Sequence, residues 1–262
     1  MAELPRILLC DCHNARNGLS TLADALADEL ARRGRPADVR AADLCRLAAA
    51  EPERLADLLN GGRWHVAACA PRALHWVLHR AGIDAAAHRL VDLRDAPPSE
   101  LAERLLDGAA PHPRPEALAC HGEEALFWYP VIDYDRCTAC KQCVGFCLFG
   151  TYQADGQGVT VASPAACKRF CPACARVCPS GAVIFPKHHE APVNGAPAAG
   201  GDSAVGLDDL AGVDVRKLLR SRSGRAARQG LQQMGLDADD ARDVLDAIGQ
   251  PPAESPDTEE PS

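Results

Sequence analysis

The sequence predicts an α/β N-terminal domain with a parallel sheet, then a small cysteine-rich α+β domain and a short helical C-terminal region. Three observations carry this. Over roughly the first ninety residues, short apolar runs alternate with alanine- and leucine-rich stretches of helical period, the pattern of strands joined by crossover helices. Eight of the thirteen cysteines then fall into two compact runs. A Gly/Ala/Pro stretch with no periodicity separates those runs from a last segment whose apolar residues return to helical spacing.

Taken in order, residues 6–10 (Arg-Ile-Leu-Leu-Cys) read as a buried strand. Ser20 or Thr21 can cap the helix that follows, whose Leu22, Ala25, Leu26 and Leu30 keep helical spacing until Gly34 stops it. Residues 37–44 form a second strand, and a helix over 52–59 opens on proline and ends in Asn60-Gly61-Gly62. A third strand over 64–69, a helix over 71–80 with proline at its start, and a fourth strand over 87–93 complete the alternation. The α/β domain thus spans 1–95, and a Pro-rich, His-containing linker occupies 96–125. The cysteine-rich domain covers 126–190 and a second linker 191–206. A helical segment over 207–249 precedes an acid- and proline-rich tail, 250–262, whose composition predicts disorder.

The formal net charge of −8 is local: residues 237–262 hold nine acidic side chains and one arginine, so the rest is near neutral. Nothing around the cysteines is basic enough for general nucleic-acid binding, and aromatic residues are sparse, which excludes a nucleic-acid zinc module. No apolar run approaches the roughly 20 residues that span a bilayer. A soluble, cytoplasmic protein without a membrane span is expected.

The cysteine spacing carries the chemistry. Cys137, Cys140, Cys143 and Cys147 are separated by two, two and three residues. Cys167, Cys171, Cys174 and Cys178 are separated by three, two and three, with Pro179 directly after. Thiolates so spaced wrap a cubane cluster: three hold three irons, and the fourth iron takes a ligand from elsewhere. In the bacterial two-cluster pattern that ligand is the last cysteine of the other run. One [4Fe–4S] cluster then uses Cys137, Cys140, Cys143 and Cys178. The other uses Cys167, Cys171, Cys174 and Cys147. The alternative is zinc, since paired C-x2-C units also suit a tetrahedral ion, with four thiolates per ion and no shared fourth cysteine. A disulfide framework does not fit cysteines this close in a chain with no apolar secretory segment.

Residues 131–186 resemble a bacterial-type two-cluster ferredoxin. The likeness lies in Cys137-Thr-Ala-Cys-Lys-Gln-Cys-Val-Gly-Phe-Cys147 and Cys171-Pro-Ala-Cys-Ala-Arg-Val-Cys-Pro-Ser-Gly-Ala-Val183. Two departures matter. Leu148 follows Cys147 where the family usually has proline. The extra residue after Cys167 leaves that thiol the ligand least fixed by the pattern; without it the site would hold a three-iron cluster.

The N-terminal domain carries Cys10, Cys12, Cys45 and Cys69, each at or just past the carboxyl end of an expected strand. In an open α/β sheet those ends share one edge, where ligands bind. Four thiolates meeting there make a candidate third [4Fe–4S] site; singly, each would be an inert core residue. Residues 6–95 also resemble the N-terminal region of the flavin-carrying subunit of heterodisulfide reductase. The resemblance rests on His65-Val-Ala-Ala-Cys69-Ala-Pro-Arg72, Leu74-His75-Trp76, Ala81-Gly82-Ile83, Leu93-Arg94, Leu9-Cys10-Asp-Cys12-His13 and Leu44-Cys45. It implies a four-iron cluster on these cysteines. No G-x-G-x-x-G follows a strand, so no flavin site is visible.

Other residues read more plainly. Cys120 is a bystander beside His121, His13 a loop residue, and His188 and His189 surface residues. Residues 127–129 (Phe-Trp-Tyr) form a strand against a cluster or simply core. Lys168 and Arg169 offset cluster charge, help dock an acidic partner, or are merely solvated. The basic stretch from Arg216 to Arg228 is a solvated helix face by default. No acid–base pair, nucleophile elbow or phosphate loop is present, so no catalytic residue is assigned. The expected function is an iron–sulfur electron-transfer protein or oxidoreductase subunit. Its partners would be a low-potential donor and an oxidoreductase acceptor. The alternatives are a heterodisulfide-reductase-like component acting on substrate, or a redox- or iron-responsive regulator.

Overall fold

The computed structural model describes residues 5–12, 18–107, 116–120, 127–156 and 158–198. The expected helices within 207–249, the acidic tail 250–262, the basic stretch 216–228, His13 and His121 lie outside them.

Strands β1 (Arg6–Cys10), β2 (Val39–Ala41), β3 (Trp64–Ala68), β4 (Arg89–Asp92) and β5 (Glu116–Leu118) form one sheet in the order β4-β3-β1-β2-β5. Every pairing is parallel. Helices cover its faces, so the central strands are mostly apolar: Ile7, Leu8 and Leu9 of β1 are fully buried, and β3 is buried along its length with His65 its one polar side chain. The chain runs outward from β1 to β2, then returns to place β3 on the other side of β1. The carboxyl ends of β1 and β3 therefore form the crevice where the winding reverses.

Helix α1 (Leu19–Arg32) packs Leu19, Ala23, Leu26 and Leu30 against the sheet, an apolar stripe at helical spacing. Its N-cap is Gly18 at φ 73°, not the expected Ser20 or Thr21, which lie within its first turn. Its stop is a Schellman motif: Gly34, at φ 74°, donates to the Ala31 carbonyl and Arg35 to that of Leu30. The second expected strand is shorter than 37–44. Asp43 accepts from the Arg46 N–H and starts α2 (Leu44–Ala50), placing Cys45 on a helix. Helices α3 (Pro52–Leu59) and α4 (Pro71–Arg80) follow as read.

Among the described residues, part of the expected linker is structured. Pro98, at the first helical position, opens α5 (Pro98–Leu106), which buries Leu101, Ala102 and Leu105 and lies against α1. Glu116–Leu118 then joins the sheet beyond β2. Proline here marks a helix start.

The cysteine-rich part has two short antiparallel pairs, β6 (Val131–Ile132) with β9 (Val183–Ile184) and β7 (Tyr152–Ala154) with β8 (Val159–Val161). Between them lie two five-residue helices, α6 (Gln142–Phe146) and α7 (Ala173–Val177). It packs directly on the α/β part in one unit. The half-buried Arg72 on α4 donates to Asp133 Oδ2 at 2.6 Å and to the Gly181 carbonyl at 2.7 Å. Arg80, at the other end of α4, donates to the Val161 carbonyl at 2.9 Å. Residues 127–129 form no strand; Trp128 is buried with its ring stacked on Phe185 at 5.2 Å. No helix among the described residues is long and apolar enough to cross a membrane.

Candidate metal centre

Each cysteine run is a loop that turns into a short helix, with the fourth cysteine capping the helix end. Cys137 and Cys140 lie on the loop, Cys143 in α6, and Cys147 is its C-cap. Cys167 closes a 3₁₀ turn (Pro164–Ala166), Cys171 precedes α7, Cys174 lies in it, and Cys178 is its C-cap. The loops bend inward through left-handed backbone: Ala139 (φ 53°) and Phe170 (φ 60°) each stand just before the second cysteine, and Lys141 (φ 61°) just after Cys140. Each such residue costs about 1–2 kcal/mol without glycine, strain of the kind that gathers where a loop must wrap something.

The fourth cysteines lie with the opposite runs. Cys147 shares a cavity of about 450 Å³ with Cys167, Cys171 and Cys174. Cys143 has Cys178 and Cys137 as its charged neighbours. Cys140 is exposed. Crowding and burial oppose ionisation inside each set. Burial pushes Cys167 up to about 12, with Cys174, Cys147 and Cys171 adding to it. Burial likewise carries Cys143 to about 11 and Cys174 to about 11, although the Tyr152 hydroxyl donates to the Cys174 sulfur at 3.0 Å.

The two crossing thiols shift the other way, and for one reason. Cys147 and Cys178 each begin a four-residue turn closed by a glycine of positive φ, Gly150 (67°) and Gly181 (60°). These turns aim backbone N–H groups at the sulfur. Burial opposes the Cys178 thiolate, but the Ser180 hydroxyl and the amides of Val183, Ala182 and Ser180 outweigh it and hold the thiol below its ordinary range. The Ala182 N–H reaches Cys178 Sγ at 3.3 Å. Cys147 is lowered in the same way, burial being outweighed by Thr151 and the amides of Thr151, Phe149 and Gly150. The buried Thr151 hydroxyl makes no hydrogen bond of regular geometry, yet it lies close enough to Cys147 and Cys167 to favour both thiolates. Thiols with depressed pKa beside N–H donors are good metal ligands.

The sheet edge gathers the other four expected cysteines. Cys10 ends β1, Cys69 follows β3, Cys45 sits in the first turn of α2, and Cys12 holds left-handed backbone at φ 47°. All four are at most 6 % exposed and line one cavity of about 10 Å³. Cys10 is raised by its hydrogen bond with Cys12 and by burial, Cys45 by burial and Asp43, and Cys69 to about 12 by burial, Cys10 and Asp92. A cation in the cavity would reverse that penalty.

Both sites have an all-sulfur donor set, which suits iron–sulfur clusters. Zinc, with Zn–S near 2.3 Å, needs thiols drawn tightly around a point. Among the described residues no group of three or more His, Cys, Asp or Glu side chains is arranged to hold a metal ion. A cubane spreads its ligands around a larger body, which the 450 Å³ cavity can admit. The N-terminal cavity, at about 10 Å³, has room for no more than a water between its four thiols.

Two contacts at the N-terminal site were not read from the sequence. The buried Tyr129 hydroxyl donates to the Cys45 carbonyl at 2.8 Å. Lys187 lines the N-terminal cavity and pairs with Asp43. No local pattern announces either contact; Asp43 was read as part of the second strand, whereas it caps α2. His188, expected on the surface, is 5 % exposed beneath Trp128, while His189 is exposed as read. Cys120 packs behind the N-terminal site, its sulfur 3.6 Å from the Asp43 carbonyl.

No family model matches the chain. A stretch of 62 residues is 45 % identical to an uncharacterized ferredoxin of Methanocaldococcus jannaschii, covering 23 % of this chain and 42 % of that protein. The chain thus spans less than half the length of that relative. The similarity supports a ferredoxin-like iron–sulfur region.

Proposed function

We propose that the chain is an electron carrier, or electron-transfer subunit, built around three [4Fe–4S] clusters. Cys137, Cys140, Cys143 and Cys178 hold one, Cys167, Cys171, Cys174 and Cys147 the second, and Cys10, Cys12, Cys45 and Cys69 the third. The observation that carries the reading is the shared cavity of Cys147 with the second run. A thiol seated in the opposite run's pocket is what a crossed ligand set requires. A four-iron cluster supplies a one-electron store with little bond rearrangement. The chain's part is to hold and tune it. The two glycine-closed turns present N–H groups that offset thiolate charge. Around the cavity, the exposed Phe146, Leu148 and Phe149 offer an apolar face to a redox partner. The burial of all four N-terminal cysteines favours an internal relay over a reductase site, since a substrate would have no access to them.

The test is iron, acid-labile sulfide and zinc per chain after anaerobic purification, for the parent and Cys69→Ala. About twelve irons in the parent and about eight in the variant are expected. About eight in both removes the third cluster, and zinc in place of iron overturns the electron-transfer reading.

A further inference from the structure

The two cysteine runs are near repeats, and the repeat breaks at one side chain. Cys147 is followed by Leu148-Phe-Gly-Thr151-Tyr152, and Cys178 by Pro179-Ser-Gly-Ala182-Val183. Each turn runs into a strand, so that Tyr152 opens β7 and Val183 opens β9. The two residues occupy matching places. Valine has no polar atom to offer there, whereas tyrosine carries a hydroxyl.

That hydroxyl points at a candidate ligand. Tyr152 is 8 % exposed and lines the 450 Å³ cavity with Cys147, Cys167, Cys171 and Cys174. Its O–H donates to Cys174 Sγ at 3.0 Å, a buried contact across 22 positions of chain. Packing against Val161, its cross-strand partner, needs only the ring. A buried phenol needs a hydrogen-bond partner, yet the one it takes is a thiol, a weak acceptor. The mismatch disappears once the sulfur is charged, because a hydrogen bond to an ionised acceptor is about twice as strong. A cluster sulfur is such an acceptor, and it becomes a better one when the cluster takes up an electron. A donor already held in place therefore favours the reduced form, and hydrogen bonds to the sulfurs are among the levers that set a cluster's potential. Phe146, Leu148 and Phe149 of the exposed apolar face line the same cavity, so the cluster in question is the one beside that face.

We propose that Tyr152 tunes the cluster bound by Cys147, Cys167, Cys171 and Cys174: its hydroxyl, donated to Cys174, raises the reduction potential of that cluster and sets it apart from its neighbour. This rests on the two-cluster reading above. The electron comes from the reductant alone, the hydroxyl proton stays on oxygen, and no bond in the chain changes.

The experiment is a dithionite titration of the anaerobically purified full chain, followed by electron paramagnetic resonance, with iron counted in every sample. The signal concerned is the one that Cys174→Ala abolishes. Tyr152→Phe removes the hydroxyl and keeps the ring. With iron unchanged, it should shift the one-electron equilibrium of that cluster about tenfold against reduction, about 59 mV more negative. The Cys137–Cys143 cluster should not move. Ring-fluorinated tyrosine, supplied in place of tyrosine, alters Tyr129, Tyr134 and Tyr152 together and strengthens each O–H as a donor. It should move the same cluster alone in the opposite direction, and Tyr152→Phe should erase that movement. A potential unmoved by either change at full iron overturns the proposal, and so does an equal shift of both clusters. If the phenylalanine variant loses the cluster, the fluorinated parent decides by the same signs. A parent carrying zinc, or well under about eight irons, fails the two-cluster reading instead.

Discussion

Gly195 offers a measurable handle on how the cysteine-rich part is fastened to the α/β part. It sits at φ 85°, and a Cβ added there would lie 2.9 Å from Ala73 Cβ, 3.1 Å from Ala73 N and 3.1 Å from Ile184 Cγ2. Ala73 belongs to α4 and Ile184 to β9, so the glycine lets three segments close on one another. Gly195→Ala incurs two costs: about 1–2 kcal/mol for left-handed backbone, and about 1–3 kcal/mol for overpacking against atoms that cannot swing away. The total is roughly 2–5 kcal/mol, which at about 2–4 °C per kcal/mol lowers Tm by roughly 4–20 °C. Gly82→Ala isolates the first cost, because Gly82 has φ 72° and open space around its Cβ position. Thermal melts of the cluster-loaded protein under argon, followed by far-ultraviolet circular dichroism, compare the two. Ala73→Gly in the Gly195→Ala background should recover part of the loss, through a coupling of the size seen between contacting residues, about 0.5–3 kcal/mol. If Gly195→Ala falls no further than Gly82→Ala, the close approach to α4 is refuted.

Two further outcomes are expected. Cys178→Ala should abolish the signal of the Cys137–Cys143 cluster, and Cys147→Ala that of the Cys167–Cys174 cluster; damage to the run carrying the mutation instead would refute the crossed assignment. His65 is 7 % exposed, its Nδ1–H donates to the Leu105 carbonyl at 2.8 Å, and burial holds its pKa below the ordinary value. The unfolded chain takes up the proton first, so the stability this residue contributes is complete above about pH 6.5 and is lost as pH falls through the lower folded value. The Tm gap between the parent and His65→Gln should therefore narrow from pH 8 to pH 5, and a constant gap would refute the linkage.

Much of this was legible because period and spacing are local signals. Ile7 to Leu9 announce a central strand by having no polar side. Pro71 and Gly34 punctuate helices by backbone chemistry that the sequence states openly. The placement of Cys10 and Cys69 followed from one topological rule about strand ends, while Cys45 reaches the same edge on helix α2. What escaped was decided by partners far along the chain. Pro97 and Pro98 looked like a linker because the surface that α5 covers is provided by α1. Lys187 and His188 carry polar side chains whose default is solvent, and their burial depends on Asp43 and Trp128, 144 and 60 positions earlier.

That separation of 144 positions between Lys187 and Asp43 has a consequence in time. A ribosome adding about 5–20 residues per second needs roughly 7–29 s to travel it. The first thiols to leave the ribosome are thus among the last to be enclosed. For most of that interval Cys10, Cys12, Cys45 and Cys69 meet the cell without Pro186 and Lys187 over them, open to oxidants and to stray metals. Synthesis in air should therefore scar this sheet edge through premature disulfides, while a chain made without oxygen arrives at its final closure with every thiol still reduced.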